Sequence, residues 1–322
     1  MKKLLLAVAV STVAAGSVNA ATIYEKDGFT YKLNGDFQIQ LRKKIGDNKN
    51  EYVDFDDLEI KNYVSYELGN NMKAFGRLDL DFKDHANGNE EEIAGDNYAS
   101  TDEPIEEAYV GIQYGVTSFS FGKQNFASDE FGIEEAYEAP LDEDQFDAVD
   151  TDGDDTFRVD VELDQVYLVA SYELEAEDKD GITGEFFDLF AATEIAGLEL
   201  AAAFQQHTPI GGDSLDTWGL SAGYDFGMFG LAADYSVTDD SNTDRETTLY
   251  NVAATIDVTS TTGVAIGMQN QEEDNEEDVT GWYANVTYKF PEAKNVSVFA
   301  EIADTDEDDT DMGFLAGMRV KF

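Results

Sequence analysis

The stretch F-T-Y-K-L-N-G-D-F-Q-I-Q-L-R-K, residues Phe29–Lys43, alternates apolar and polar side chains. Residues two apart in a β-strand lie on the same face, so this alternation predicts a strand with one apolar and one polar side. The apolar side carries Phe29, Tyr31, Leu33, Phe37, Ile39 and Leu41. The polar side carries Lys32, Asp36, Gln38, Gln40 and Arg42.

The same alternation recurs along the chain and predicts sixteen strands. After the first, they are predicted at 56–68, 72–83, 105–114, 117–125, 156–163, 166–175, 186–195, 198–206, 215–226, 229–237, 246–257, 261–270, 279–290, 296–303 and 311–322. Short connections such as 69–71 and 196–197 alternate with longer acidic ones such as 238–244 and 271–278. Alternating strands with short turns at one end and long loops at the other are typical of outer-membrane barrels. We therefore predict an all-β fold, a 16-stranded antiparallel transmembrane β-barrel.

A soluble β-sandwich would also show alternation, but two features disfavour it. Sixteen strands with one consistently apolar face would need an unusually large sandwich. The apolar faces also end in aromatic residues, which fit the girdle of a barrel at the membrane interface. These strand-end residues include Tyr66, Tyr224, Phe226, Tyr288, Phe290 and Phe322.

The first twenty residues have the features of a secretory signal peptide. They contain two lysines, an apolar run and small residues, with Val18 and Ala20 at the −3 and −1 positions of a cleavage site. An N-terminal membrane anchor is disfavoured because the apolar run is too short to span. No later segment has eighteen consecutive apolar residues, so no transmembrane helix is predicted. We predict a signal peptide at 1–20 and one barrel domain at 21–322.

The charge of the chain excludes some partners. It has 69 acidic and 20 basic residues, and a formal net charge of −49. Such a chain repels nucleic acid, so no nucleic-acid partner is expected. An acidic surface suited to a saline setting would explain the charge but not the alternation. The absence of cysteine rules out a disulfide scaffold.

Residues 126–155 interrupt the strand pattern with thirteen carboxylates and no lysine or arginine. A long connection without regular structure is usually either functional or disordered. Its larger apolar residues argue against disorder, because they can pack: Phe126, Phe131, Ile133, Tyr137, Leu141 and Phe146. We predict an acidic loop that folds into the barrel and narrows the pore.

Three segments of the chain resemble the general porins of Gram-negative bacteria, most closely those of Vibrio-like marine species. They are A-T-I-Y-E-K-D-G (21–28) followed by L-N-G (33–35), A-Y-V-G-I-Q-Y-G followed by S-F-S-F-G-K-Q-N (108–125), and the terminal G-F-L-A-G-M-R-V-K-F. The resemblance implies a homotrimer whose third loop folds inward, opposite a ladder of basic wall residues. It also implies contact with outer-membrane lipid and lipopolysaccharide. The last strand, with Met318, Val320 and Phe322, resembles the signal that the barrel-assembly machinery recognises.

Several single positions match basic residues of the porin family, and others differ from the family's pattern. Lys123 matches the family's arginine before the third loop, Lys61 stands where the second strand usually has arginine, and Arg158 starts the strand after the loop. Asp36 stands in place of the family's first-strand lysine. The usual loop motif P-E-F-G-G-D is absent, with only A-P-L-D-E-D (139–144) near that place. A less basic wall than usual is expected.

Carboxylates that line a water-filled lumen attract cations and repel anions. Charges in a narrow low-dielectric channel also act more strongly than charges on an open surface. We therefore predict a passive channel for ions and small hydrophilic solutes with a preference for cations. The acidic candidates for its constriction are Glu134, Glu135, Glu138, Asp142, Glu143, Asp144 and Asp147. The basic wall candidates are Arg42, Lys61, Arg77, Lys123 and Arg158, with Asp36, Asp57, Glu59 and Asp79 among them.

Other interpretations stay open at this point. The loop acids could instead face bulk water at the rim and select little. An oligosaccharide channel would need a row of inward aromatic residues, whereas the candidates Tyr63, Phe75, Tyr109 and Tyr283 are scattered. A surface adhesion protein anchored by a barrel would favour large extracellular loops.

Catalysis and resident metals are not expected. The two histidines, His85 and His207, fall in predicted loop regions outside any recognisable catalytic motif. The run from Asp150 resembles a calcium loop, but its sixth and twelfth positions hold Asp155 and Val161 where an EF-hand needs Gly and Glu. We predict no enzyme activity, cofactor or metal site.

Overall fold

The computed structural model describes residues 21–88, 104–177, 182–308 and 310–322. The predicted signal peptide lies outside these residues. The first strands are β1 (Ala21–Lys26), β2 (Phe29–Lys43), β3 (Tyr52–Gly69), β4 (Met72–Asp81), β5 (Ile105–Tyr114), β6 (Thr117–Asn125), β7 (Asp152–Glu162), β8 (Val166–Glu173), β9 (Ala176–Glu177) and β10 (Ile182–Thr183). The remaining strands are β11 (Glu185–Ile195), β12 (Leu198–Thr208), β13 (Leu215–Asp225), β14 (Phe229–Asp240), β15 (Arg245–Thr259), β16 (Thr262–Glu273), β17 (Val279–Phe290), β18 (Ala293–Thr305) and β19 (Gly313–Lys321). A short helix, α1 (Lys83–Asn87), and a 3-10 turn, Ser128–Glu130, are the helical segments of the described residues.

Antiparallel pairing closes the sheet into a barrel. Strands β2 to β8 and β11 to β19 pair in sequence, β8 pairs with β11, and β19 pairs with β2. Strands β9 and β10 form a separate hairpin. Because sixteen strands complete the ring, the predicted 16-stranded antiparallel barrel is confirmed.

The short strand β1 shares one position in the ring with the last strand, β19. Ala21 of β1 pairs with Leu33 of β2, and Lys321 of β19 pairs with Asp36 of the same strand. Between these pairs, Gly35 and Phe322 exchange two backbone hydrogen bonds of 2.9 Å. The two ends of the chain therefore meet along β2.

The barrel exposes its apolar side chains and buries its polar ones, as a surrounding bilayer requires. On β2, Ile39 and Leu41 are 42% and 47% exposed, whereas Gln38 and Gln40 are each 1% exposed. The aromatic residues predicted for the membrane interface are also exposed, and several contact each other near the short turns. The ring centroids of Tyr224 and Phe226, for example, lie 4.6 Å apart. No helix in the described ranges is long and apolar enough to cross a membrane.

Several strands extend further than the alternation predicted. Strand β3 begins four residues before its predicted start, and β7 begins at Asp152, within the predicted loop. The added residues of β7 include Asp152, Asp154 and Asp155, and acidic residues are poor strand formers, so the sequence pattern did not indicate this extension. Cross-strand pairing overrides that preference here, since Asp152 and Gly153 pair with Asn125 and Gln124 of β6.

Candidate functional site: the inner loop and the wall it faces

Residues 126–151, here called the inner loop, connect β6 to β7 and contact lumen-facing side chains of most other strands. Its N-terminal part contacts β7, β8, β11 and β12. Residues 134–145 contact β14 to β18. The first part of this segment, residues 134–138, is here called the tip, and its Glu138 reaches β2. These contacts lie on the face of each strand opposite the exposed apolar side chains, which is the face turned to the lumen.

Arg158 of β7 holds the base of the inner loop. Its guanidinium donates to the backbone oxygens of Asn125 and Phe126 at 3.2 and 2.9 Å. It also forms ion pairs with Glu130 of the loop and, at 3.0 Å, with Asp160 of its own strand. Arg158 is 3% exposed, so the predicted wall residue is enclosed beneath the loop.

The apolar residues of the inner loop pack against the wall. Phe126 and Phe146 are fully buried, and the ring centroids of Phe131 and Phe146 lie 5.1 Å apart. Gly219 of β13 makes this approach possible, because a Cβ atom there would lie 2.6 Å from the Phe131 ring. The buried cluster comprises Ala127, Phe131, Phe146, Val169, Phe190, Ala192, Ala201 and Ala203.

Side-chain amides of the wall form hydrogen bonds with backbone groups of the inner loop between residues 135 and 142. Gln269 accepts from Leu141 N at 3.1 Å and donates to the Asp142 carbonyl at 2.9 Å. Asn285 donates to the Glu135 carbonyl at 2.6 Å. Buried backbone groups need such partners, so these wall residues fix the course of the loop.

Glu301 of β18 holds the tip of the inner loop. Its carboxylate oxygens accept the backbone N–H groups of Tyr137 and Glu138 at 2.7 and 3.0 Å. The Tyr137 ring stacks on Phe299 with a centroid distance of 3.8 Å, and its hydroxyl lies 2.6 Å from that of Thr287. The tip is thus bound through both its backbone and its aromatic side chain.

Glu138 joins the loop tip to strand β2 across the lumen. Its carboxylate accepts hydrogen bonds from Arg42 at 2.5 Å and Gln40 at 2.8 Å. Arg42 also pairs with Asp54 of β3 at 3.1 Å. One predicted loop acid and one predicted wall base therefore form a direct contact.

Two other predicted wall cations, Lys61 and Arg77, are paired with acids of their own strand or of a neighbouring strand. Lys61 lies 2.7 Å from Glu59. Arg77 pairs with Glu107 at 2.8 Å and with the fully buried Asp79. Each of these predicted wall cations therefore has a carboxylate beside it, which reduces the positive charge that it presents to the lumen.

Lys123 occupies a more open position. Its ammonium group lies 2.7 Å from Asp154, whose side chain is 60% exposed. Lys123 precedes the inner loop on β6, and Asp154 follows it on β7. This ion pair therefore links the two strands that flank the inner loop, on their more exposed side.

Two wall cations of the last strand were missed by the sequence analysis. Arg319 binds Asp36 at 2.9 Å and lies 2.9 Å from Asp57, and Lys321 lies 3.1 Å from Asp36. The alternation of β19 contained the signal, because Met318 and Phe322 place Arg319 and Lys321 on the opposite, polar face. Asp36, the acid at the family's lysine position, thus faces bases from the other end of the chain.

The seven predicted loop acids fall into three groups by exposure. Asp142, Glu143 and Asp147 are exposed, and Glu134, Glu135 and Glu138 are half-buried. Asp144 is 3% exposed and accepts the backbone N–H groups of Phe146 and Asp147 at 2.8 and 3.2 Å. The role that the structure gives Asp144 is therefore to shape the loop.

Burial within the barrel raises the pKa of several carboxylates of the inner loop. It raises the pKa of Glu143 to about 7, with further increases from the charges of Glu134 and Asp147. Water reaches Glu143, but the wall surrounds it and other carboxylates are close. Burial is also the main cause of the raised pKa values of Glu134, Glu135, Glu138 and Asp142.

Segment 134–140 of the inner loop borders two cavities in the lumen. A cavity of about 210 Å³ is lined by Glu138, Pro140 and Arg42, towards the long loops. A second cavity of about 520 Å³ is lined by Glu134, Glu135 and the short turn between β15 and β16. Short turns lie on the periplasmic side of such barrels, so the larger cavity is the periplasmic one.

The scattered aromatic residues do not form an open row along the lumen. Phe75, Tyr109 and Tyr283 are at most 5% exposed. Phe75 packs edge-on against Tyr109 with centroids 6.4 Å apart, and the Tyr283 hydroxyl accepts a hydrogen bond from Glu135 N. These rings support the wall and the inner loop.

Comparison with known proteins agrees with this architecture. The profile of a family described as Gram-negative porin matches residues 6–310. Porin-like protein H of Photobacterium profundum is 24% identical over 348 residues, covering 100% of both chains.

Two solved structures have a similar fold. OmpT, an outer membrane protein of Vibrio cholerae, superposes with a TM-score of 0.75 at 18% identity, covering 94% of this chain and 100% of OmpT. An anion-selective porin from Comamonas acidovorans superposes with a TM-score of 0.72 at 11% identity, covering 91% and 100%. From the family match along most of its length and the closed sixteen-stranded barrel, this chain belongs to the Gram-negative porins and resides in the outer membrane.

Proposed function

We propose that this porin is a passive, water-filled channel for ions and small hydrophilic solutes, and that it prefers cations. One observation carries the preference. The inner loop brings carboxylates into the lumen, while four wall cations are already paired with wall carboxylates: Arg42, Lys61, Arg77 and Arg319. Lys289, at the periplasmic end of the lumen, has no such pair among the described residues. Both sides of the constriction therefore favour a cation over an anion.

The paired wall favours a cation-selective channel over an unselective one. A free basic ladder would attract anions and offset the loop acids. Here Arg77 lies between two carboxylates, and the charges of Arg319 and Lys321 are balanced by Asp36 and Asp57. Since charges act strongly in a narrow low-dielectric channel, the excess of carboxylates dominates the field.

The fold alone does not determine selectivity. The porin from Comamonas acidovorans is named as anion-selective, although its fold is similar. The proposal for this chain therefore rests on its own charges, above all on Glu134, Glu135 and Glu138 of the loop tip.

Planar-bilayer recordings test both parts of the proposal. The purified protein should form steady ohmic pores, and in a KCl gradient its reversal potential should show a preference for K⁺. Replacing Glu134, Glu135 and Glu138 together by Gln should reduce that preference. Glu292→Gln, a change at an exposed residue of a short turn, is the matched control and should leave it unaltered. Absence of pores would reject the channel, and pores without selectivity would reject the role of the acids.

We also propose that the porin is a homotrimer in lipopolysaccharide-containing outer membrane and that the barrel-assembly machinery inserts it through its C-terminal strand. The resemblance to general porins supports both statements. Phe322 ends that strand and packs edge-on against Phe37 with centroids 5.4 Å apart. Light scattering of the detergent-solubilised protein should give three chains per particle, and a mass of one chain would reject the trimer.

A further inference from the structure

The periplasmic cavity of about 520 Å³ contains a row of donors on neighbouring strands. Lys289 of β17 pairs with Ser297 of β18, and Ser297 pairs with Arg319 of β19. All three side chains line the cavity. Neighbouring strands are about 4.8 Å apart, so the Cα atoms of Lys289 and Arg319 are roughly 10 Å apart with Ser297 between them.

Each member of this donor row has hydrogen-bonding capacity to spare. Arg319 uses Nε and Nη2 for Asp36 and Asp57, which leaves Nη1 without an acceptor among the described residues. Within the same part of the chain, neither the Lys289 ammonium nor the Ser297 hydroxyl has an acceptor. An anionic group that enters the row would thus meet three donors from adjacent strands.

The surroundings of the donor row restrict how a ligand fits. Tyr137 of the inner loop lies one step further along the wall, stacked on Phe299 and bonded to Thr287. Gln38, which pairs with Arg319 across β2 and β19, is 1% exposed and its Oε1 has no hydrogen-bond partner in the described residues. The donor row therefore lies in a built site with a ring on one side and a buried amide at its end.

The inner loop supplies an acceptor to the same cavity. The backbone of Glu135 is fixed by Tyr283 and Asn285, but its carboxylate forms no hydrogen bond or ion pair with any described residue. Asn285, Thr287 and Lys289 are successive inward residues of β17. Since alternate strand residues are about 6.8 Å apart, Asn285, which holds the Glu135 backbone, lies roughly 14 Å along β17 from Lys289, towards the constriction.

We propose that the periplasmic cavity binds small zwitterions, with the solute carboxylate on the Lys289–Ser297–Arg319 row and its ammonium group at Glu135. Short peptides, whose terminal ammonium and carboxylate groups are separated by several backbone units, are the chemical class with this pair of charges. A net-neutral solute of this kind can pass the acidic constriction, whereas a plain anion is repelled there. The inference rests on the proposed channel function, because the solute reaches the cavity through the lumen.

Three probes of similar size separate the two halves of the site. Triglycine carries both charges, N-acetyl-triglycine keeps only the carboxylate, and triglycine amide keeps only the ammonium group. Calorimetry on the detergent-solubilised protein should show saturable binding of triglycine. Each blocked peptide should bind at least about fivefold more weakly, because it loses one charge-assisted contact.

Variants at residues without ion pairs test the assignment while leaving the wall network intact. Lys289→Gln should weaken triglycine binding about tenfold, the loss expected for one charge-assisted hydrogen bond. Glu135→Gln should abolish the difference between triglycine and N-acetyl-triglycine. Lys294→Gln and Glu292→Gln, at exposed residues outside the cavity lining, are matched controls and should bind triglycine like the unaltered protein.

The outcomes separate this site from the channel itself. Equal binding of triglycine and N-acetyl-triglycine would overturn the zwitterion site in favour of a simple anion site. A protein that conducts KCl but shows no saturable triglycine binding would also overturn the site, and the channel would stand. Triglycine binding by a protein that forms no pores would retain the site and reject the channel.

Discussion

The base and the tip of the inner loop are held in different ways. At the base, Phe126, Phe131 and Phe146 are buried and Arg158 is enclosed with its acidic partners. At the tip, the contacts are mostly polar: backbone N–H groups donate to Glu301 and Arg42 donates to Glu138, with one ring contact between Tyr137 and Phe299. Packing and a buried ion pair fix where the loop enters the lumen. Exchangeable hydrogen bonds fix how far it reaches across the pore.

This difference separates the stability of the porin from its conductance. Changes at the base should affect mainly folding, because they leave cavities or unpaired buried charges. Changes at the tip should affect mainly the current, because the tip lies beside water and close to the wall cations. The following variants test that separation, beginning with the largest expected effect.

Arg158→Met should be the most destabilising change, since it leaves Glu130 and Asp160 enclosed without their cation. Breaking a buried pair in this way costs about 3–5 kcal/mol in the free energy of unfolding. Urea unfolding in lipid vesicles, followed by tryptophan fluorescence, measures the loss. Arg245→Met is the control, because the Arg245–Glu273 pair is 2.8 Å long but its arginine is 47% exposed. It should cost less than about 1 kcal/mol. Equal losses would contradict the account of the base.

Gly219→Ala should be the next largest change, because its Cβ atom would lie 2.6 Å from the Phe131 ring. Forcing such a contact costs about 1–3 kcal/mol. Gly223 of the same strand is the control position, where the nearest atom to an added Cβ is 3.6 Å away. The same unfolding assay should show a loss for Gly219→Ala and little change for Gly223→Ala. No difference between the two would mean that the loop base does not pack on β13.

Glu301→Ala should reverse the balance and affect the current more than the stability. Two backbone N–H groups of the tip lose their acceptor, which costs about 1–3 kcal/mol if they stay buried and less if water replaces the carboxylate. Single-channel recordings should show a changed conductance and more open-channel noise. Glu301→Gln, which keeps one acceptor oxygen, should give an intermediate result. A stable, quiet channel in both variants would show that other contacts hold the tip.

Lowering the pH should weaken the cation preference gradually, which is the smallest effect. An acid with a raised pKa becomes neutral at a higher pH than usual, so Glu143, with a pKa of about 7, loses charge first as the pH falls from 8. Glu134, Glu135, Glu138 and Asp142 follow, since their pKa values are also raised. The K⁺/Cl⁻ permeability ratio should fall between pH 8 and pH 5, and the first part of the fall should be missing in Glu143→Gln.

Protonation of Glu143, which weakens the cation preference, should make the folded protein more stable. The folded pKa of Glu143 lies above its unfolded value, so the folded protein holds the proton more tightly. Its contribution to stability is present at low pH and is lost as the pH rises through about 7. Unfolding measured from pH 5 to pH 8 should therefore show a smaller decline in Glu143→Gln than in the unaltered protein.

The strand count and the inward and outward faces followed from alternation, because each strand separates lipid from water. The same rule would have found Arg319 and Lys321, since they alternate with Met318 and Phe322 on β19. The contacts of the inner loop could not be predicted in this way, because its sequence has no strand or helix periodicity. The enclosure of Arg158 arises from contacts with loop residues 28 and 32 positions away in sequence, and no local pattern indicates it. The hydrogen bond from Phe146 N to Asp144 is local, but it depends on the irregular backbone of the loop.

The central claim is that the carboxylates of the loop tip lie in the conduction path, and the ion pair between Glu138 and Arg42 tests it most directly. Reversal potentials in a KCl gradient should be measured for Glu138→Gln and Arg42→Gln in parallel. The account predicts opposite shifts, with a weaker cation preference when Glu138 is neutral and a stronger one when Arg42 is neutral. Unchanged potentials, or shifts in the same direction, would place the pair outside the path of the ions and contradict the account.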